Sequence, residues 1–279
     1  MMAEEAVRTR PVQIIGPRET LGVWLKDLWL YRNALLALCA RDIRGKYKQT
    51  SLGVAWALIQ PLVQVGLFTL VFRGVARVQT PVAYAVFVLA ALLPFNLFQQ
   101  IVATGTPSFV SAQGIVTKVY FPRLYTVLAS TAAPLVSAVI SLSVLIIAMI
   151  WFGVVPSPMV VVGIPMLLGA LLLAIGVASF LGAINARFRD IQHALPLIMT
   201  VFMYVSPVLY PLEIMPPRLR PLALLNPVTG LVEGFRAAIT GITPYSWNLA
   251  WGSLGVSVVV FIVGVCIFER AQARLIDVL

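Results

Sequence analysis

Apolar residues recur in long runs along most of this chain, and the polar residues gather between the runs. Val54–Phe72 carries no charge from end to end, and Val82–Thr104, Tyr125–Phe152, Met159–Ile184 and Leu249–Phe268 follow the same pattern. Ala194–Leu209 is shorter and held by Pro196 and Pro207. A helix that spans the hydrocarbon core needs about 20 mainly apolar residues. The pattern therefore predicts an all-α membrane protein with six transmembrane helices across residues 51–279. Pro134 predicts a kink in the third run.

The remaining segments read differently. Residues 1–20 are polar, contain two prolines and lack the apolar stretch of a cleavable signal, so they are expected to form a flexible cytoplasmic tail. Leu21, Trp24, Leu25, Leu28 and Trp29 recur at three- and four-residue steps, with Lys26, Asp27 and Arg32 among them. That spacing predicts an amphipathic helix within residues 21–50, lying in the membrane interface with its tryptophans at headgroup depth. It reads as a plain anchor or as an anchor that also couples to a partner. In the fourth run Ala170, Ala174, Ala178, Gly182 and Ala186 stand four residues apart. Such a stripe lets a second helix approach closely, which is how helices associate in lipid. Residues 211–240 hold five prolines and five charged side chains. Irregular backbone at membrane depth survives only where protein or water satisfies it. Two short helices dipping into the outer interface fit this segment, and so does a loop with one short helix.

Composition sharpens the picture. The chain has 279 residues, of which 60% are hydrophobic and 11% charged, and its mean hydropathy is +0.96. The net charge of +10 invites a nucleic-acid reading until its distribution is considered. Nine of the 20 Lys and Arg lie in the first fifty residues, and the others flank apolar runs. With six spans and the N-terminus inside, fifteen basic residues face the cytoplasm and five face out. The asymmetry places both termini in the cytoplasm and Pro211–Thr240 outside, and it is the signature of membrane orientation, not of nucleic-acid binding.

Catalytic and metal-binding patterns are absent from the sequence. Gly45-Lys46 is followed by Tyr47 and lacks the upstream glycine of a phosphate-cradling loop. No paired-histidine zinc motif, nucleophile elbow or Cys/His cluster occurs. Cys39 and Cys266 have neither metal-ligand spacing nor a disulfide framework around them. The lone His193 reads as structural or solvated. The predicted spans hold no acidic group, which argues against proton-coupled transport. Any vectorial work must draw its energy from another chain.

Two groups of residues carry candidate binding chemistry. Trp56, Phe95, Phe98, Tyr204 and Tyr210 lie in or near span ends beside polar neighbours such as Gln60, Asn96, Gln99 and Ser206. Aromatic rings offer apolar faces to a neutral ligand, so these residues are candidate channel lining; aromatics also anchor helices at the membrane interface. Arg41, Arg44, Lys46 and Lys48 form a basic cluster before the first span. It suits a diphosphate and equally suits anionic lipid headgroups.

Four stretches carry a family resemblance. RDIRGKYKQTSLGVAWALIQPL (Arg41–Leu62), GIVTKVYFPRL (Gly114–Leu124), FRDIQHALPLIMTVFMYVSPVLYP (Phe188–Pro211) and LNPVTGLVEGFRAAI (Leu225–Ile239) resemble, in this order, the permeases of polysaccharide-exporting ABC transporters of the type-2 class. The O-antigen branch matches best, with teichoic acid and capsule permeases close by. The resemblance implies a complex of two permease copies and two cytoplasmic ATPase subunits that bind ATP and Mg, with no cofactor in this chain. It also implies a substrate polysaccharide carried on undecaprenyl diphosphate. By the same resemblance a coupling helix lies within Ser111–Arg123, where Lys118, Tyr120 and Arg123 would meet the ATPase. The interface helix would touch the ATPase too, and gate helices would follow the fifth span within residues 211–240. Two other functions stay open on the sequence: an export permease for drugs or lipids, and an integral membrane enzyme acting on lipid-linked glycans. The missing catalytic motifs count against the enzyme.

Overall fold

A computed structural model describes residues 31–47, 55–112 and 122–275, with side chains to 271. All regular structure among the described residues is helical. Helix α1 is Arg32–Tyr47 and α2 is Ala55–Phe68, prolonged by a π-helical turn over Thr69–Val75. Helix α3 is Tyr84–Ser111, α4 is Leu124–Ser130 and α5 is Ala132–Trp151. After a 3-10 turn come α6, Gly163–Asn185, and α7, Asp190–Val205. Two short helices, α8 (Arg220–Leu225) and α9 (Pro227–Thr240), precede α10, Trp247–Leu275.

Five stretches are long and apolar enough to cross a membrane: Ala55–Val75, Tyr84–Ser111, Leu124–Trp151, Pro158–Asn185 and Trp247–Ala271. They match five of the six predicted runs. The sixth run appears as α7, with 16 residues. At 1.5 Å per residue that helix reaches only ~24 Å against a hydrocarbon core of roughly 30 Å. Its bounds also shift from the expected Ala194–Leu209. The helix begins at Asp190, and it ends at Val205 because Ser206 precedes Pro207 and takes an extended ψ of 140°, as residues before proline do.

The third run breaks where Pro134 requires. The proline nitrogen carries no hydrogen, and its ring crowds the carbonyl of Ser130. Helix α4 accordingly ends at Ser130, and the Thr131 N–H bonds to Leu128 O at 3.2 Å.

Helix α3 is the centre of the domain and is buried along most of its length. Helix α6 packs on it through the predicted small stripe. A methyl group added at Gly105 of α3 would stand 2.8 Å from Ala178 Cβ, and one at Gly182 would stand 3.4 Å from Thr106 O. A second small face of α6, unanticipated from the sequence, meets α10. There Gly176 lies against Val260 and Phe261 backbone, and Gly264 lies against Gly176.

Helix α1 does more than rest at one level. Leu38 packs with Tyr125 and Ala129 of α4, and Lys46 and Tyr47 reach Ser137 of α5. The described part of the expected interface helix thus advances along α4–α5. Leu21, Trp24, Leu25, Leu28 and Trp29, which carried the amphipathic pattern, lie outside the described residues.

The proline-rich segment folds as two short helices. Helix α9 starts at Asn226, whose side chain accepts a hydrogen bond from the Val228 N–H, with Pro227 at the first helical position. It ends at Gly241, whose φ of 73° suits glycine. Every residue from Val228 to Thr240 is buried. Gly230 and Gly234 permit this depth, because a methyl group there would collide with Leu249 O at 2.6 Å and with Ala250 Cβ at 2.9 Å.

Candidate functional site

Two polar assemblies stand out in this otherwise apolar domain, one at the start of α3 and one near its middle. Tyr84 and Gln100 are 16 positions apart on that helix, or ~24 Å at 1.5 Å per residue.

The first assembly surrounds Lys46. Its ammonium donates to Gln100 Oε1 at 2.9 Å and to Ser137 Oγ at 2.8 Å. Ser137 directs its own proton to Ala133 O at 3.0 Å, so the Tyr47 hydroxyl, 2.9 Å away, donates to it as well. These side chains edge a cavity of about 120 Å³ whose other walls include Trp56, Gln60, Gln64, Asn96 and Ser141. Asn96 Nδ2 donates to Gln64 Oε1 at 3.1 Å. A shallow, open hollow of about 480 Å³ along one face of α2 adjoins it, lined by Trp56, Ile59, Gln60, Val63 and Gln64. Partial burial pushes the Lys46 ammonium, which keeps exposed surface, below its usual pKa. The arrangement can hold an anion at the ammonium and hydroxylated or amide groups along the glutamines.

The second assembly binds the chain that follows α7. Tyr84 Oη donates to Leu209 O at 2.8 Å, Asn226 Nδ2 to Ser206 Oγ at 2.8 Å, and Arg236 Nη1 to Pro207 O at 3.2 Å. Arg236 also pairs with Glu233 one turn earlier, and its guanidinium lies 3.9 Å from the Phe87 ring centre. Both charged side chains are buried, at 6% and 3% exposure for Glu233 and Arg236. Burial pulls the Arg236 pKa below its usual value, with Glu213 opposing the shift. The sequence reading counted Arg236 among five outward-facing cations. The structure buries its side chain in the protein interior, paired with Glu233. The three-residue spacing of Glu233 and Arg236 on an apolar helix was the signal that could have found the pair.

The predicted site residues distribute as follows. Trp56 is 53% exposed and lines both cavities. Tyr204 is 50% exposed, and its carbonyl accepts the Tyr210 hydroxyl at 2.6 Å. Those two tyrosines meet at the Tyr84 end, far along α3 from Trp56. Phe95 and Phe98 are buried in the chain's own core, Phe98 against Phe202 with ring centres 5.9 Å apart. Of the basic cluster, Lys46 reaches the cavity. Arg41 and Arg44 are exposed on α1, and Arg41 pairs with the adjacent Asp42 at 2.8 Å. Lys48, Lys118 and Tyr120 lie outside the described residues. Arg123 begins α4, lies 5.5 Å from the Phe109 ring centre and is within electrostatic reach of Glu269 on α10.

Comparison with known proteins places this geometry in a family. The O-antigen export system permease protein RfbA of Klebsiella pneumoniae is 25% identical over 247 residues, covering 88% of this chain and 94% of that protein. The protein of the same name from Myxococcus xanthus is 29% identical over 215 residues, covering 76% of this chain and 82% of that one. The polysialic acid transport protein KpsM of Escherichia coli is 24% identical over 214 residues, covering 73% and 80%. The family profile described as ABC-2 type transporter matches residues 33–240, from α1 through the end of α9. With well over half of its length matched, and with apolar helices of spanning length to match, this chain is a membrane permease belonging to the ABC-2 type transporter family.

Proposed function

We propose that this chain is the permease subunit of an exporter that moves a lipid-linked polysaccharide of the O-antigen type across the bacterial inner membrane. The observation that carries the reading is the near full-length similarity to permeases named for O-antigen export. In this reading two copies of the chain enclose the path, and two cytoplasmic ATPase subunits bind ATP and Mg and supply the energy. The carrier lipid is undecaprenyl diphosphate. Helix α7 completes a six-span topology with both termini in the cytoplasm, its short length met by the loop 206–211 at the outer face. Helices α8 and α9 serve as the outer gate segment.

The proposed residue roles follow the chemistry. Lys118, Tyr120 and Arg123 form the coupling surface for the ATPase, and Arg41, Arg44, Lys46 and Lys48 receive the lipid diphosphate at the inner entrance. Trp56, Tyr204 and Tyr210 present partly exposed rings suited to sugar CH faces. Phe95 and Phe98, packed inward in this conformation, would reach a glycan only after α3 and α7 separate.

The test is complementation. A strain lacking its glycan exporter, supplied with this chain and the ATPase encoded beside it, should display polysaccharide on the cell surface. Either gene alone should display none. Surface glycan that is independent of the ATPase, or no export with both proteins present in the membrane, refutes the reading.

A further inference from the structure

We propose that Arg123, Phe109, Phe268 and Glu269 form a clamp tying both stems of the segment 113–121 to the last spanning helix, so that α3, α4 and α10 answer together to a push on that segment. The inference rests on the transport reading, in which the ATPase meets the chain there. It makes Arg123 a positioning residue whose side chain acts inward.

Three observations carry it. The first is the direction in which Arg123 points. It immediately precedes Leu124, yet its side chain makes no capping hydrogen bond to α4. Its guanidinium carbon stands 5.5 Å from the ring centre of Phe109, near the end of α3. The two stems that flank 113–121 are thereby joined by a cation over a ring, a contact that strengthens as water is excluded, and the Phe109 ring is buried. The second is the continuation into α10. Phe109 meets Phe268 edge-on, with ring centres 5.9 Å apart and planes at 89°, a favoured aromatic geometry. Glu269, the next residue, is half-buried and within electrostatic reach of Arg123. A carboxylate at the end of an apolar helix favours a cation beside it. Cation, two rings and carboxylate thus close a circuit through three helices. The third is the space that α6 leaves for it. A methyl group at Gly182 would stand 3.7 Å from Phe268 Cε2 and 3.4 Å from Thr106 O, so α3 and the Phe268 ring rest on the same turn of α6. Elsewhere α10 packs against α6 and α9, and the clamp adds a direct tie from it to the two stems.

The test is a charge exchange in the complete transporter, scored as surface glycan per membrane-inserted complex. Arg123→Glu and Glu269→Arg each set like charges side by side and should lower export at least ~5-fold. The double exchange restores an opposite pair and should recover at least about half of wild-type export. Contact between Arg123 and the ATPase alone gives no such recovery, so a double variant no better than Arg123→Glu overturns the clamp. Glu269→Gln keeps the side-chain shape and guards against a charge reversal that does not fold. It should lower glycan exported per ATP hydrolysed roughly threefold, with hydrolysis itself held within about twofold. Export and hydrolysis that fall in step, or an export loss matched by loss of inserted protein, reduce the group to plain packing and overturn the clamp too. A measurement independent of substrate uses the purified full chain in dodecyl maltoside. Heat-unfolding midpoints of Arg123→Ala, Glu269→Ala and the double variant should be non-additive, the double losing less than the sum. Additive losses overturn the clamp and leave the transport reading standing. Non-additive losses in a chain that supports no glycan export beside its ATPase do the reverse.

Discussion

Substituting Gly176 by Ala tests how the α6–α10 contact is built. A methyl group at this position would stand 2.6 Å from Phe261 Cα, 2.6 Å from Val260 O and 2.7 Å from Phe261 N. All three are backbone atoms, so no side chain can swing aside. Relief requires the helices to part by ~1 Å at the crossing, and a gap of that size forfeits up to half of each 0.1–0.2 kcal/mol contact. With on the order of thirty atom pairs affected, the loss is ~2 kcal/mol, within the usual range for an overpacked interior. Replacing glycine by alanine in a helix returns up to ~1 kcal/mol, so a net destabilisation of about 1–2 kcal/mol is expected. Gly252 and Gly255 on α10 provide the control, since an added methyl group meets nothing within 4 Å at either. The assay is thermal unfolding of detergent-purified protein, followed by size-exclusion recovery after heating. Gly252→Ala and Gly255→Ala should match or exceed wild type, and Gly176→Ala should fall below it. Equal midpoints for Gly176→Ala and Gly255→Ala would refute the close backbone crossing.

Arg236→Leu should destabilise the protein by about 3–5 kcal/mol, because it strands the buried Glu233 carboxylate; replacing both residues by neutral ones should be milder, and denaturant titration in detergent measures the difference. Tyr84→Phe removes the donor to Leu209 O and should lose ~1 kcal/mol in the same titration, and no loss at all would argue that this bond is not held in the membrane. In a background lacking Cys39 and Cys266, a cysteine at Arg218 should react with an impermeant maleimide on intact cells, whereas one at Arg274 should not. Purified alone, the chain should hydrolyse no ATP, and its coupling-loop variant Tyr120→Ala should insert normally yet uncouple hydrolysis from export in the complete transporter.

The apolar runs made most of the fold legible, because a helix in lipid must satisfy its own backbone and so announces itself by length and composition. Pro134 and Pro207 marked a helix break and a helix end for local steric reasons. Their neighbours needed no tertiary information. The stripe from Ala170 to Ala186 was readable as a packing face, since small residues at a four-residue step have few other uses in a spanning helix. The crossing of Gly176 with Gly264 was not readable, because each helix holds several glycines and nothing in their spacing names which one meets which. Glu233 and Arg236 misled for a different reason. Charge next to prolines looks like surface, and only the tertiary fold reveals that Phe87 and the Pro207 carbonyl enclose the pair. At the candidate site, Lys46 and Trp56 were legible as chemistry. Their convergence with Gln100 and Ser137 was not, since those residues lie 54 and 91 positions from Lys46 and meet it only through packing of α1, α3 and α5.

The depth of α9 also dictates an order of assembly. Gly230 and Gly234 fit against Leu249, Ala250 and Ser253 of α10, with Met166 of α6 also at Gly234, and the α10 residues leave the ribosome after α9 itself. Until they arrive, the glycine face of α9 lacks its α10 partner, although Phe87 and Pro207, which hold Arg236, are already in the chain. Helix α9 can therefore complete its packing only once the last helix is in place. A chain that stopped before Trp247 would leave the small-residue faces of α6 and α9 uncovered, so the final 29-residue helix is the piece that closes both.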